Sequence, residues 1–150
     1  MQSTDLVGVW LLQSFYFEDI KSGERSQPFG EEPEGTIIFH PDGRFFALMT
    51  PGERPDPLTE AEQALAFRKL VAYSGPYRLE PPNRLVTTVD ISWFEPWIGT
   101  DQVRYFTLKG DDLYLQSAPL SMPKADGEAA DVFAIVAWRR EKGRVSDGPA

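Results

Sequence analysis

The sequence contains no cysteine and a single histidine, His40, in its 150 residues. Without cysteine the chain can form neither a disulfide framework nor a thiolate metal site. With one histidine, a transition-metal site would depend almost wholly on carboxylates, so we expect no metal and no other cofactor. His40 directly precedes the turn Pro41-Asp42-Gly43, and we expect its side chain to bond to nearby backbone rather than to act as an acid–base group.

Positive charge and long apolar runs are also scarce. The chain has 15 Lys and Arg against 23 Asp and Glu, a net charge of −8, whereas nucleic-acid binding needs clustered Lys and Arg, so we expect no nucleic-acid partner. No apolar run is long enough to span a bilayer, and the start MQSTDLVGVW lacks the pattern of a secretory signal peptide. We therefore expect a cytoplasmic protein without a membrane partner, either a monomer or a homodimer.

Strand patterns dominate what is present. The composition, with 41% hydrophobic and 13% aromatic residues, is that of one ordinary globular domain. Eight runs rich in β-branched and aromatic residues predict strands: VWLLQSFYF, GTIIF, RFFALMT, SGPYRLE, NRLVTTVDISWF, the two arms of DQVRYFTLKGDDLYLQSA, and VFAIVAWRRE. One helix is predicted in LTEAEQALAFRKLVAY, between the third and fourth strands, because Thr59 and Glu62 have the spacing of a capping box.

Successive strands joined by short turns favour an antiparallel sheet that avoids exposed edges by closing on itself. We predict a mainly all-β domain over residues 1–142, an eight-stranded up-and-down antiparallel β-barrel, followed by a flexible tail at 143–150. The alternative is a β-sandwich with the helix covering one end. An eight-stranded barrel has an interior just wide enough for packed side chains or one small ligand.

The first strand is predicted to place a large side chain inside one end of the barrel. Alternation puts four of its residues on one inner face: Trp10, Leu12, Ser14 and Tyr16. Trp10 would close the end at which the chain termini crowd, and Gly8 would leave room for it. Arg140 on the last strand can stack on the indole and join the first strand to the last.

The pair GVW on the first strand and Arg on the last is similar to the Gly-x-Trp motif of the lipocalin superfamily. More closely, the chain resembles the bacterial and fungal lipocalin-like domain family, of the calycin type, from Leu6 to Arg140. Five segments carry the resemblance in order: LVGVWLLQSF, PFGEEPEGTIIFHPDGRF, AFRKLVAYSGPYRL, WIGTDQVRYFTLKGDDLYL and AWRR.

This resemblance implies a small barrel with an internal cavity for an apolar small molecule. Some relatives occur with secondary-metabolite pathways, and some lipocalin-like barrels act as cyclases. The chain departs from the family at Thr87-Thr88, where members often carry histidine. Any chemistry that this imidazole performs elsewhere would be absent here.

Polar residues on two neighbouring strands are the candidates for chemistry. If Thr88, Asp90 and Ser92 face the interior, Asp90 can pair with an inward Arg104, which shares its strand face with Phe106. A buried ion pair of this kind rarely stabilises more than an apolar equivalent, so it suggests a functional role. The hydroxyls of Tyr16 and Tyr77 would complete the site. If the strand register is shifted by one residue, all these groups face water instead.

Two functions follow from these residues. The first is a binding module that holds an apolar or aromatic, polyketide- or terpenoid-like small molecule. The second is a cofactor-independent cyclase, isomerase or lyase with Asp90, Arg104 and Tyr16 as its catalytic groups; a third, a structural partner of a larger enzyme, has less support. The predicted ligand-binding residues are Trp10, Leu12, Ser14, Phe46, Leu48, Tyr77, Thr88, Ser92, Trp93, Trp97 and Phe106, of which Trp93 and Trp97 would lie at the entrance.

Overall fold

The computed structural model describes residues 5–123 and 127–143, so residues 1–4 and, apart from Gly143, the expected tail at 143–150 lie outside it. Its strands are β1 (Gly8–Asp19), β2 (Arg25–Ser26), β3 (Glu34–Phe39), β4 (Arg44–Thr50), β5 (Val71–Glu80), β6 (Arg84–Thr88), β7 (Ile91–Ser92), β8 (Asp101–Lys109), β9 (Asp112–Ser117), β10 (Leu120–Pro123) and β11 (Ala129–Arg140). The helix α1 spans Glu60–Arg68, and a 3₁₀ turn spans Glu95–Trp97. Within these ranges, no helix is both long and apolar enough to cross a bilayer.

Eight of these strands close into one antiparallel barrel. Their order is β1-β3-β4-β5-β6-β8-β9-β11, and β11 pairs with β1 to complete the ring. The short strands β2, β7 and β10 pair with β1, β5 and β11. The predicted eight-stranded barrel is therefore confirmed, with α1 between its third and fourth strands as expected.

The helix begins as its sequence predicts and ends earlier. The Thr59 hydroxyl accepts a hydrogen bond from the Glu62 N–H at 3.1 Å, and the Glu62 carboxylate accepts one from the Thr59 N–H at 2.9 Å, which confirms the capping box. The predicted helical segment continued to Tyr73, but the helix ends at Arg68 and Val71 already begins β5. None of the helical side chains is buried.

Trp10 fills the closed end of the barrel. It is fully buried, and its Nε1–H donates to the Leu6 carbonyl at 3.0 Å. The Arg140 guanidinium lies 4.3 Å from the indole centre and also donates to the Val7 carbonyl at 3.0 Å. Gly8 has φ +133°, and a side chain there would begin 3.5 Å from this guanidinium. The expected contact between the first and last strands is confirmed.

A β-bulge in β1 reverses the inward face of the strand. Its pairing with β11 shifts between Leu12 and Ser14, so one extra residue is inserted and the alternation changes phase. Phe15 and Phe17 therefore face the interior, and the predicted inward orientation of Ser14 and Tyr16 is wrong. The Tyr16 ring instead lies against the Arg25 guanidinium, at 5.2 Å.

In β4 the structure places the opposite face inside from the one predicted. Phe45, Ala47 and Met49 are buried, whereas Phe46 and Leu48 are each 37% exposed. Apolar residues occupy both faces of RFFALMT, so alternation alone could not distinguish them. The predicted ligand contacts of Phe46 and Leu48 are therefore wrong.

The long strand predicted through NRLVTTVDISWF is broken. β6 ends at Thr88, and β7 resumes at Ile91, where it pairs with β5 rather than continuing along β8. The break depends on Gly75 in β5, because a Cβ there would lie 2.0 Å from the Thr88 carbonyl oxygen. The chain crosses β5 closely at this point, and β7 lies beside β5, with Ser92 opposite Tyr73.

Candidate ligand-binding cavity

The barrel contains a cavity of about 250 Å³ that opens between α1 and the 3₁₀ turn. Aromatic side chains form much of its wall: Phe15, Phe17, Phe29, Phe45, Tyr73, Trp93, Trp97 and Trp138. Aliphatic side chains form most of the rest: Ile37, Ala47, Met49, Leu70, Val71, Leu115, Leu120, Ala134 and Val136. The polar lining residues among the described residues are Arg68, Gln102 and Arg104, besides the Tyr73 hydroxyl and the Trp138 N–H.

The strand register places these groups at different depths. Trp138 of β11 lies opposite Leu113 of β9, near the closed end, whereas Arg104 of β8 lies opposite Ser117 of β9. Four residues of extended strand separate the two levels, about 13 Å along β9. The guanidinium is therefore near the mouth, and the Trp138 indole is near the floor.

Three aromatic rings in edge-to-face contact form one side of the mouth. Trp97 makes edge-to-face contacts with Trp93 and Tyr73, with centroids 5.1 and 5.3 Å apart. The Trp93 Nε1–H donates to the carbonyl of Phe67 in α1 at 3.1 Å. These contacts connect the helix to the wall of the cavity. The predicted position of Trp93 and Trp97 at the entrance agrees with this geometry.

Arg104 faces inward as predicted but lacks the expected partner. It shares the inner face of β8 with Gln102 and Phe106, and its guanidinium donates to the Val103 carbonyl at 2.8 Å and, more weakly, to the Gln102 side chain at 3.5 Å. Across residues 5–123 and 127–143, no carboxylate forms an ion pair with Arg104. A partly buried cation in an aromatic wall is thus left without a counter-charge.

Asp90 lies on the outer surface, so the predicted Asp90–Arg104 pair is wrong. Its carboxylate accepts two hydrogen bonds from the Arg44 guanidinium, at 2.9 and 2.7 Å, and the two side chains are 44% and 47% exposed. Hydrogen bonding to Arg44 holds the pKa of Asp90 below its usual value. The inward face of this segment carries Leu85, Thr87 and Val89, all buried, so Asp90 faces outward with Thr88, one residue out of phase with the prediction.

Tyr73 is the hydroxyl that sequence analysis missed. Its side chain is buried among the rings of the cavity wall, and its hydroxyl forms no hydrogen bond within the described part of the chain. Burial raises the pKa of Tyr73, and the nearby positive charge of Arg104 offsets part of that rise. A neutral phenol and a guanidinium therefore line the same cavity, near enough for the charge of Arg104 to act on the hydroxyl.

Four further residues predicted as ligand contacts belong to the core instead of the cavity wall. Trp10 and Leu12 are buried at the closed end, and Phe106 is buried in the barrel core. The Tyr77 ring packs edge-to-face on Phe39, at 5.2 Å. None of the four lines the cavity, because the large side chains near the floor fill that end.

Two predicted polar contacts have local partners. The Thr88 hydroxyl donates to the Asp101 carboxylate at 2.8 Å, on the outer face of β6 and β8, so its predicted inward position is wrong. The Ser92 hydroxyl accepts a hydrogen bond from the Phe94 N–H at 3.1 Å. At the far end of the molecule, the His40 ring nitrogen Nδ1 accepts one from the Asp42 N–H at 3.1 Å, the local role expected for it.

A closed barrel around an apolar cavity defines the architecture of a small-molecule-binding protein. The chain belongs to the lipocalin-like domain family, whose model matches residues 7–141. It is also 35% identical over 66 residues to the 4'-hydroxy-3'-methoxypropiophenone carrier protein ppsC of Aspergillus oryzae. That match involves 39% of this chain and 60% of the length of the relative.

Proposed function

We propose that this protein binds one compact aromatic molecule in its barrel and carries or stores it without chemical change. The observation that carries the proposal is the cavity itself, an aromatic enclosure of about 250 Å³ with a mouth that opens to solvent. An apolar cavity of about 150 Å³ is enough for benzene. The space here therefore suits one ring with short substituents.

The named relative supports this class of ligand. The compound in the name of that relative is an aryl ketone with one aromatic ring and hydroxyl and methoxy substituents. Such a molecule has a flat apolar body, which matches the rings of the cavity wall, and oxygen atoms that accept hydrogen bonds. We propose an oxygen-substituted aromatic ligand of this kind for the present chain, with an oxygen at the level of Arg104.

The binding function has more support than the enzymatic alternative. A cyclase, isomerase or lyase was expected to use Asp90 and Tyr16 together with Arg104, but Asp90 and Tyr16 lie on the outer surface. Among the described residues, those lining the cavity include no carboxylate and no imidazole. Tyr73 and the two guanidiniums can bind and orient an oxygen, which is what a carrier requires.

Binding can be measured through the protein's own tryptophans. Trp93, Trp97 and Trp138 line the cavity, so a ligand that enters it should quench their fluorescence. We expect 4'-hydroxy-3'-methoxypropiophenone to quench in a saturable manner with one site per chain. Isothermal titration calorimetry provides the independent stoichiometry.

A matched pair of variants on β11 locates the site. Ala134 lines the cavity, whereas Ala137 has the opposite strand phase and pairs with Tyr114. Ala134→Leu places three further carbon atoms in the cavity and should weaken binding by at least about tenfold, while Ala137→Leu should leave the affinity within about twofold. Equal effects of the two variants, or the absence of saturable binding by the unmodified protein, would contradict the proposal.

A further inference from the structure

Two polar side chains of the cavity wall lack a strong partner among the described residues: the Tyr73 hydroxyl lacks a hydrogen bond, and the Arg104 guanidinium lacks an ion pair. The Tyr73 side chain is 6% exposed, and its hydroxyl forms no hydrogen bond within residues 5–123 and 127–143. Arg104 has only carbonyl and amide oxygens as acceptors in the same part of the chain. Both side chains line the same cavity, where the Tyr73 hydroxyl and the guanidinium can donate to an oxygen supplied from outside the protein.

The electrostatics of the cavity favour one sign of charge on that partner. The charged or titratable residues that line it, from every described element around it, are Arg68 at the end of α1, Tyr73 of β5 and Arg104 of β8. Two are permanent cations, and the phenol stays neutral because burial raises the pKa of Tyr73. An anionic oxygen would meet a positive field and a hydroxyl donor, without an opposing carboxylate.

We propose that Tyr73 and Arg104 form a two-point clamp that selects the ionised form of an acidic oxygen, such as a phenolate, on the aromatic ligand. The inference rests on the proposed binding function and adds a chemical specificity to it. The Tyr73 hydroxyl donates one hydrogen bond to the oxygen, and the guanidinium donates another while neutralising the charge. Hydrogen bonds to a charged group are the stronger kind.

The test compares 4-nitrophenol, which ionises near neutral pH, with its methyl ether 4-nitroanisole, which cannot ionise. We expect the unmodified protein to bind the nitrophenolate at least about tenfold more tightly than the ether. Because the clamp should also bind the phenolate at least about tenfold more tightly than the neutral nitrophenol, the pKa of the bound compound should fall by about one unit or more below its value in solution. The yellow absorbance of the phenolate, followed against pH at saturating protein, measures this shift directly.

Variants assign the preference to particular side chains. Arg104→Gln should abolish the preference, and Tyr73→Phe should reduce it by about threefold or more while leaving 4-nitroanisole affinity within about twofold. Arg44→Gln on the outer surface is the matched control and should change neither affinity. Arg68→Gln should have a smaller effect than Arg104→Gln; the reverse order would refute the assignment to Arg104.

The outcomes separate the clamp from the binding function. If both compounds bind and the pKa of bound nitrophenol is unchanged or raised, the clamp is wrong and the aromatic binding site stands. If neither compound nor the aryl ketone binds, the proposed function itself fails. The shift is read in the unmodified protein, so a variant that does not fold leaves the test intact.

Discussion

Replacing Trp10 with alanine should be one of the most destabilising single changes in this protein. The indole is fully buried, donates to the Leu6 carbonyl and lies under the Arg140 guanidinium. A buried aromatic side chain removes about 150–250 Å² from water, which at about 25 cal/mol per Å² corresponds to about 4–6 kcal/mol. Measured costs of such truncations are about 3–5 kcal/mol, and we expect a loss near the upper part of that range.

The assay is urea unfolding followed by far-ultraviolet circular dichroism, because the other three tryptophans complicate fluorescence. A domain of ordinary stability has about 5–15 kcal/mol to lose, so Trp10→Ala should lower the midpoint strongly with little change in slope. Trp10→Phe keeps most of the apolar contact and should cost much less.

Ligand binding provides the second half of this test. Trp10 does not line the cavity, so Trp10→Phe should leave the affinity for the aryl ketone within about twofold. A loss of stability below about 2 kcal/mol for Trp10→Ala would mean that the closed end is loosely packed. A large loss of affinity in the folded Trp10→Phe protein would mean that the ligand reaches the floor of the barrel.

Three further predictions concern the barrel wall. Phe45→Ala should lower the free energy of unfolding by about 3–5 kcal/mol and Phe46→Ala by about 1 kcal/mol or less, because the first ring is buried and the second lies on the outer face. The opposite order would mean that Phe46 faces the interior. Gly75→Ala should cost at least about 2 kcal/mol, since its Cβ would meet the Thr88 carbonyl, while Gly143→Ala, with open space around it, should be neutral. Asp90→Asn should leave ligand affinity within about twofold and lower the melting temperature slightly at neutral pH. Arg44 lowers the pKa of Asp90 in the folded protein. The stabilisation by the Asp90–Arg44 pair is therefore complete above the unfolded pKa of about 3.9 and is lost as pH falls through the lower folded value. A difference in melting temperature between the two proteins that grows in acid would refute this.

The order of the strands could be predicted from sequence because turns, caps and aromatic runs are local signals. The capping box at Thr59 and the contact of Arg140 with Trp10 were predicted and are present. The inward faces were harder, because strand phase depends on features that leave no local pattern. The bulge after Leu12 reverses the phase of β1.

In the candidate site, too, the residues with a local sequence signal were predicted and those whose local pattern is ambiguous were not. Trp93 and Trp97 were identified because aromatic density is visible within one loop, and Arg104 because it shares a strand face with Phe106, although the Asp90 partner expected for it is absent. Tyr73 was missed because VAY was assigned to the end of the helix, although a β-branched residue followed by an aromatic one is also a strand pattern. Asp90 was misplaced because NRLVTTVD has apolar or β-branched residues on both faces, so alternation could not show that Leu85, Thr87 and Val89 form the buried face.

The location of the cavity follows from the sizes of the inward side chains. Along β11 they decrease from Trp138 at the floor through Val136 to Ala134 near the mouth. Trp10 fills the closed end below them. The closed end is therefore filled, and the cavity opens above it, from the Trp138 indole to the level of Arg104 of β8. In the proposed binding mode, an aromatic ligand places its apolar body toward the floor and an oxygen toward the mouth, where the Arg104 guanidinium can donate a hydrogen bond to it.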